Sequence, residues 1–172
     1  MLSVSRREIW LVGDCQARVG SRWIRNHKDI DSLLAAARAV FLELALANGM
    51  DVDELRATDP GRDYIRPLLE QQAVLQNNPG AGPLWYAALD GFPVPREGIR
   101  IIEIPDDVDS VVLATDGYPI LSDTLEESEA ELARVLAVDP LLIREYRATK
   151  TAPSSEQSFD DRAYIRVRLH RE

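Results

Sequence analysis

Three aspartates stand at the ends of apolar, β-type segments, and their placement is what suggests chemistry. Val111-Val-Leu-Ala-Thr-Asp-Gly117 is an apolar run that delivers a carboxylate, Asp116, and is followed at once by glycine. A buried strand is rigid, and a glycine lets the backbone turn close to whatever the carboxylate binds. Asp-Gly is also an ordinary turn cap, so both uses stay open for Asp116. Asp160-Asp161 stands just before the alternating segment 162–169. Adjacent carboxylates repel, and they are tolerated where a cation or an arginine such as Arg162 lies nearby. Asp14 follows Gly13 at the end of segment 8–14. Three strand-end carboxylates could converge on one rim of a sheet, and Mg²⁺ or Mn²⁺ takes oxygen ligands of that kind.

Other reactive side chains are few. Cys15 is the only cysteine, so an intrachain disulfide is impossible, which agrees with a reducing, cytoplasmic compartment. As a nucleophile it would need a base partner and a lowered pKa; its strand position reads more simply as a small core residue. A separate expectation is an N-terminal-nucleophile hydrolase that exposes Cys15 by cleavage after Asp14, in which case the Asp116 and Asp160 motifs would be coincidental. His27 lies between Asn26 and Lys28 in a loop and reads as solvated, and His170 reads as tail.

The elements that must position these groups follow from periodicity. Segment 8–14 predicts a buried strand, with 16–24 as its hairpin partner turning near Gly20. Asp29 or Asp31 can cap a helix through about residue 48, with Leu34, Ala37, Phe41 and Leu44 as its apolar face and Gly49 at its C-terminal cap. Asp59-Pro60 starts a second helix with Ile65, Leu68, Leu69 and Leu75 inward. The turn-rich 77–83 reads as a loop. Segments 84–89, 99–104 and 110–115 are β-type. A helix over 122–138 can start with a capping box from Thr124 to Glu127 or from Asp123 to Glu126. Asp139-Pro140 starts a further helix to about residue 149. In 162–169, Ala163, Ile165, Val167 and Leu169 share one face, the pattern of a half-exposed strand. Strands at both ends with helices between predict an α+β fold, antiparallel sheets covered by helices.

Composition narrows the class of partner. The 172 residues suit one domain, and 45% hydrophobic content is too apolar for intrinsic disorder. The net charge of 20 − 29 = −9 argues against nucleic acid, whose phosphates need clustered Lys and Arg. Ten acidic residues and no basic one lie between 101 and 133, which reads mostly as a solvated face. No run approaches the roughly 20 apolar residues of a membrane span, and no secretory signal is visible at the N-terminus.

Together these motifs resemble the PP2C-type metal-dependent phosphatase family. The run from Ile104 through Asp109 to Asp116-Gly117, continued by Tyr118-Pro-Ile-Leu-Ser-Asp-Thr-Leu-Glu, is similar to the family's strand ending in Ser/Thr-Asp-Gly. Asp160-Asp161-Arg-Ala-Tyr-Ile-Arg-Val167 is similar to its closing strand. Val12-Gly-Asp-Cys-Gln-Ala-Arg18 resembles its Gly-Asp-Ser-Arg strand, and Asn26-His-Lys28 its Asp-His-Lys. The four occur in family order and cover about 8–28 and 99–168. The resemblance implies a four-layer αββα sandwich with Asp116 and Asp160 as core ligands of a two-metal centre. Asp14 would serve an accessory metal, and the reaction would be phosphoserine or phosphothreonine hydrolysis by an activated water. The family's N-terminal Asp-Gly-His-Gly-Gly strand has no counterpart, and 30–98 looks like a helical subfamily region. The expectation is therefore that an upstream segment, a second chain or a homodimer partner completes the sheets, or that the domain is a regulatory module without catalysis.

Overall fold

The computed structural model describes residues 1–153 and 158–169, and shows an α+β fold built on two antiparallel sheets. The first sheet is β1 (Leu2–Ser3), β2 (Glu8–Leu11) and β5 (Arg100–Glu103), in the order β1-β2-β5. The second has β3 (Gln16–Val19), β4 (Arg22–Arg25), β6 (Ser110–Ala114) and β7 (Tyr164–Arg168), in the order β4-β3-β6-β7. The helices are α1 (Asp29–Ala47), α2 (Val52–Thr58), α3 (Pro60–Gln71) and α4 (Leu125–Val138).

The two sheets pack face to face. Ile9 and Leu11 of β2 and Ile102 of β5 meet Ala17, Val19, Ile24 and Val111 of the second sheet in one buried cluster. This overturns the expected hairpin between 8–14 and 16–24. Both segments carry apolar residues at alternate positions, and burying those faces against each other removes more apolar surface than edge-to-edge pairing would. Gly13, at φ +75°, carries the chain from one sheet to the other. The predicted turn at Gly20 instead joins β3 to β4 as a two-residue loop, Val19 pairing with Arg22.

β6 is apolar at consecutive positions because both its faces are covered. Val111 faces the other sheet, while Val112 and Ala114 pack with Tyr118 and Leu121 on the opposite face. In β7 the predicted alternation holds, since Val167 and Leu169 join the inter-sheet cluster. Ile165, on the same face at the sheet edge, remains 55% exposed.

Between and around the strands the chain departs from expectation in five places. The buried face of α1 is Leu34, Ala35, Arg38, Ala39, Leu42 and Ala45, and Leu44 is 60% exposed. The rotation follows from Arg38, whose fully buried guanidinium ion-pairs with Asp59 and donates to the carbonyls of Leu141, Leu142 and Ala148. Those bonds, with the Asp139 carboxylate accepting from the backbone N–H groups of Ile143, Arg144 and Glu145, replace the helix expected over 140–149. Segment 84–89 is not a strand either: the Asn77 side chain both donates to and accepts from Ala88, and only an isolated bridge joins Gln76 to Tyr86. Neither Asp29 nor Asp31 caps α1, whose N-cap is Lys28. The caps expected of Asp59 and Thr124 are present. In α3, Ile65 is buried but Leu68 is 54% exposed.

Candidate functional site

Asp14, Asp116 and Asp160 come from three distant stretches of chain and line a single cleft, whose volume is about 120 Å³. Asp31, from the first turn of α1, lines it too, as do Arg25, Lys28, Arg147 and Lys150. Four carboxylates face four permanent cations, so the cleft is charged but locally balanced.

The strand order explains how the aspartates meet. β3 and β6 are neighbours with Gln16 opposite Ala114, so Asp14 and Asp116 leave the same end of the sheet. β6 and β7 are neighbours with Ala114 opposite Tyr164, which brings the 160–163 stretch alongside 115–117. Thr115 fastens the two: its amide donates to Ala163 O at 3.2 Å and its Oγ1 accepts from Ala163 N at 3.1 Å. Gly117 is required by this approach. A Cβ there would lie 2.5 Å from Asp161 O and 2.9 Å from the Arg162 Cβ. The glycine therefore admits a neighbouring strand, and its φ is not in the left-handed region.

Gln16 is a positioning residue that pattern reasoning on carboxylates does not find. Its Nε2 donates to Thr115 O and to Tyr118 O, both at 2.8 Å, and its Oε1 accepts from Trp23 Nε1 at 2.9 Å. It is 2% exposed, so these bonds clamp the turn that carries Asp116 against β3 without competition from water. The available signal is a polar residue at a strand position between Cys15 and Ala17, where burial demands a hydrogen-bond partner.

The carboxylates are not equivalent. Lys150 Nζ lies 2.5 Å from Asp160 Oδ1, and Lys28 Nζ lies 3.1 Å from Asp31 Oδ2. Burial raises the Asp31 carboxyl above its ordinary value in spite of Lys28. Among the described residues no side chain donates a hydrogen bond to Asp116. Burial, and then the charges of Asp14 and Asp160, push its carboxyl from 3.8 up to about 6. Such crowding of negative charge is relieved by a bound cation or by protonation. Carboxylate oxygens are the donor type a hard divalent cation takes, and Asp116 and Asp14 are the two of the four without a lysine partner. Among the described residues no group of three Asp, Glu, His or Cys side chains is arranged to hold one ion.

The remaining candidates fall elsewhere. Cys15 is half-buried, its Sγ 3.3 Å from Val12 O, in a recess lined by Leu11, Leu113 and Ile165. Burial raises its thiol pKa, the opposite of what activates a nucleophile. His27 is exposed at the mouth of the cleft. His170 lies outside the described residues. No helix among the described residues is long and apolar enough to cross a membrane.

No protein-family model matches the chain. Comparison with curated proteins and with solved structures likewise gives no match.

Proposed function

We propose that this chain carries the carboxylate half of a metal-dependent phosphomonoester hydrolase of the PP2C type, acting on phosphoserine or phosphothreonine. The observation that carries the reading is the convergence of Asp14, Asp116 and Asp160, more than 100 residues apart at the extremes, on one cleft. Two antiparallel sheets packed face to face are consistent with the inner layers of an αββα sandwich.

Mn²⁺ or Mg²⁺ would be held by Asp116 and Asp14, with Asp160 joining once it exchanges Lys150 for the cation. Such a cation supplies Lewis-acid activation of water and neutralises charge on a phosphoryl group. The chain's own residues do the rest. Gln16 and Thr115 hold the Asp116 turn, Gly117 lets the Asp160 strand close in, and the neighbouring cations can receive phosphate oxygens. The cytoplasmic compartment and completion of the sheets by a second chain or a second copy belong to the same reading.

The test is calorimetric titration of Mn²⁺ at pH 7.5 into the chain and into Asp116→Asn and Asp160→Asn. Saturable binding that weakens at least tenfold in both, about 1.4 kcal/mol or more, is expected. No binding, or binding indifferent to both changes, would remove the metal centre.

A second reading has its own support. The Lys150–Asp160 and Lys28–Asp31 pairs neutralise two of the four carboxylates without any cation. That arrangement suits a phosphatase-like module that has lost catalysis and binds a partner through a preserved cleft. Absence of Mn²⁺ binding, with an unchanged fold, would favour it.

A further inference from the structure

Lys28 is the partition between the carboxylate cleft and a second recess of about 210 Å³. On the cleft side its ammonium ion-pairs with Asp31; on the other side it lies 4.1 Å from the ring centre of Tyr86. The side chain is only 14% exposed, so it is held in place rather than sweeping through solvent.

The second recess differs in character from the first. Its walls are the aromatic rings of Trp85 and Tyr86, and its charged groups are Lys28 and Arg100 against Glu97, with His27 at the boundary of both recesses. Lys28 is paired with Asp31, so Arg100 is the cation of this recess left for an anionic group, beside Glu97. Arg100 Nη1 donates to Arg25 O at 2.9 Å, and a guanidinium has four further N–H groups with which to meet a ligand. The wall behind is closed by a close approach: a Cβ on Gly98 would lie 2.5 Å from the Ala87 Cβ and 3.1 Å from the Trp85 ring. That packing fixes the indole and shapes the recess.

We infer that this recess receives a carboxylate carried by the substrate beside its phosphorylated residue, so that the substrates are acidic phosphopeptides. The inference rests on the phosphatase reading of the first cleft. Lys28 and His27 line both recesses, and a peptide in extended form advances about 3.4 Å per residue, so the recess is assigned to a side chain close to the phosphorylated residue. The flat faces of Trp85 and Tyr86 suit the methylene stem of a Glu or the peptide plane beside it, and Arg100 suits a carboxylate through paired N–H groups.

The test uses the full chain with saturating Mn²⁺ and two phosphothreonine peptides, one flanked by glutamates and one by glutamines at the same positions. Binding is followed calorimetrically and by tryptophan fluorescence. The acidic peptide is expected to bind about five- to tenfold more tightly at low salt, the gap narrowing as salt screens it. Arg100→Gln should abolish the preference and leave the glutamine peptide and Mn²⁺ affinities unchanged. Equal affinity for the two peptides, no binding of either, or a preference that survives Arg100→Gln overturns the inference. The metal reading is decided separately. Saturable Mn²⁺ binding without acidic preference sinks only the recess, whereas acidic preference without Mn²⁺ binding keeps the recess as an anion site and sinks the hydrolase.

Discussion

Replacing Asp116 by Asn should stabilise the metal-free protein while abolishing its response to Mn²⁺. The Asp116 carboxyl is raised from 3.8 to about 6, so the folded state resists its ionisation. The sign follows from linkage: the unfolded chain loses this proton near pH 3.8, the folded chain only near 6. Between those values the folded state binds more protons, and stability falls as pH rises. Two pKa units correspond to about 3 kcal/mol. The side chain is only partly buried, and solvent screening reduces that to about 1–2 kcal/mol. Asn keeps the size without the charge, so above pH 6 the variant should be more stable by that amount, about 3–6 °C in Tm for a chain of this length. Below pH 4 the two proteins should melt together. Mn²⁺ should raise the wild-type Tm at pH 7.5, progressively less below pH 6, and leave the variant's Tm unmoved. Thermal melts at pH 4, 5.5 and 7.5, with and without Mn²⁺, measure all of this. A variant less stable than wild type at pH 7.5, or one still stabilised by Mn²⁺, would refute the reasoning, because Asp116 would then be a structural turn cap.

Three further changes probe the parts around it. Gly117→Ala places a methyl 2.5 Å from Asp161 O, and should cost about 1–3 kcal/mol by urea denaturation while lowering Mn²⁺ affinity, since Asp160 is pushed from Asp116. Lys150→Met removes the competitor for Asp160 and should strengthen Mn²⁺ binding about three- to tenfold by calorimetry; unchanged affinity would show that Asp160 is not a ligand. Arg38→Met strands the Asp59 charge and three buried carbonyls, and a loss of about 3–5 kcal/mol in chemical denaturation is expected, with Mn²⁺ affinity per folded molecule unchanged.

Local structure is what the residue pattern alone specifies. The alternation of 162–169, the apolar run of β6, the Asp59-Pro60 start of α3 and the Thr124 cap of α4 are written within a few residues, because strand pleat, helix period and capping act at that range. The three strand-end aspartates were legible for the same reason. Their convergence needed the strand order β4-β3-β6-β7, which depends on which apolar faces bury against each other. Burial of sheet on sheet sent 8–14 and 16–24 to different sheets, although their proximity in sequence suggested a hairpin. Tertiary hydrogen bonding also overrode local propensity at 140–149, where Asp139 and Arg38 take the backbone groups a helix would have paired. Gln16 and Lys150 acquire meaning only from partners about 100 and 10 residues away. A carboxylate's position can be read from its neighbours in the chain, but its pKa and the ligands it could share are set by charges that only the folded chain brings together.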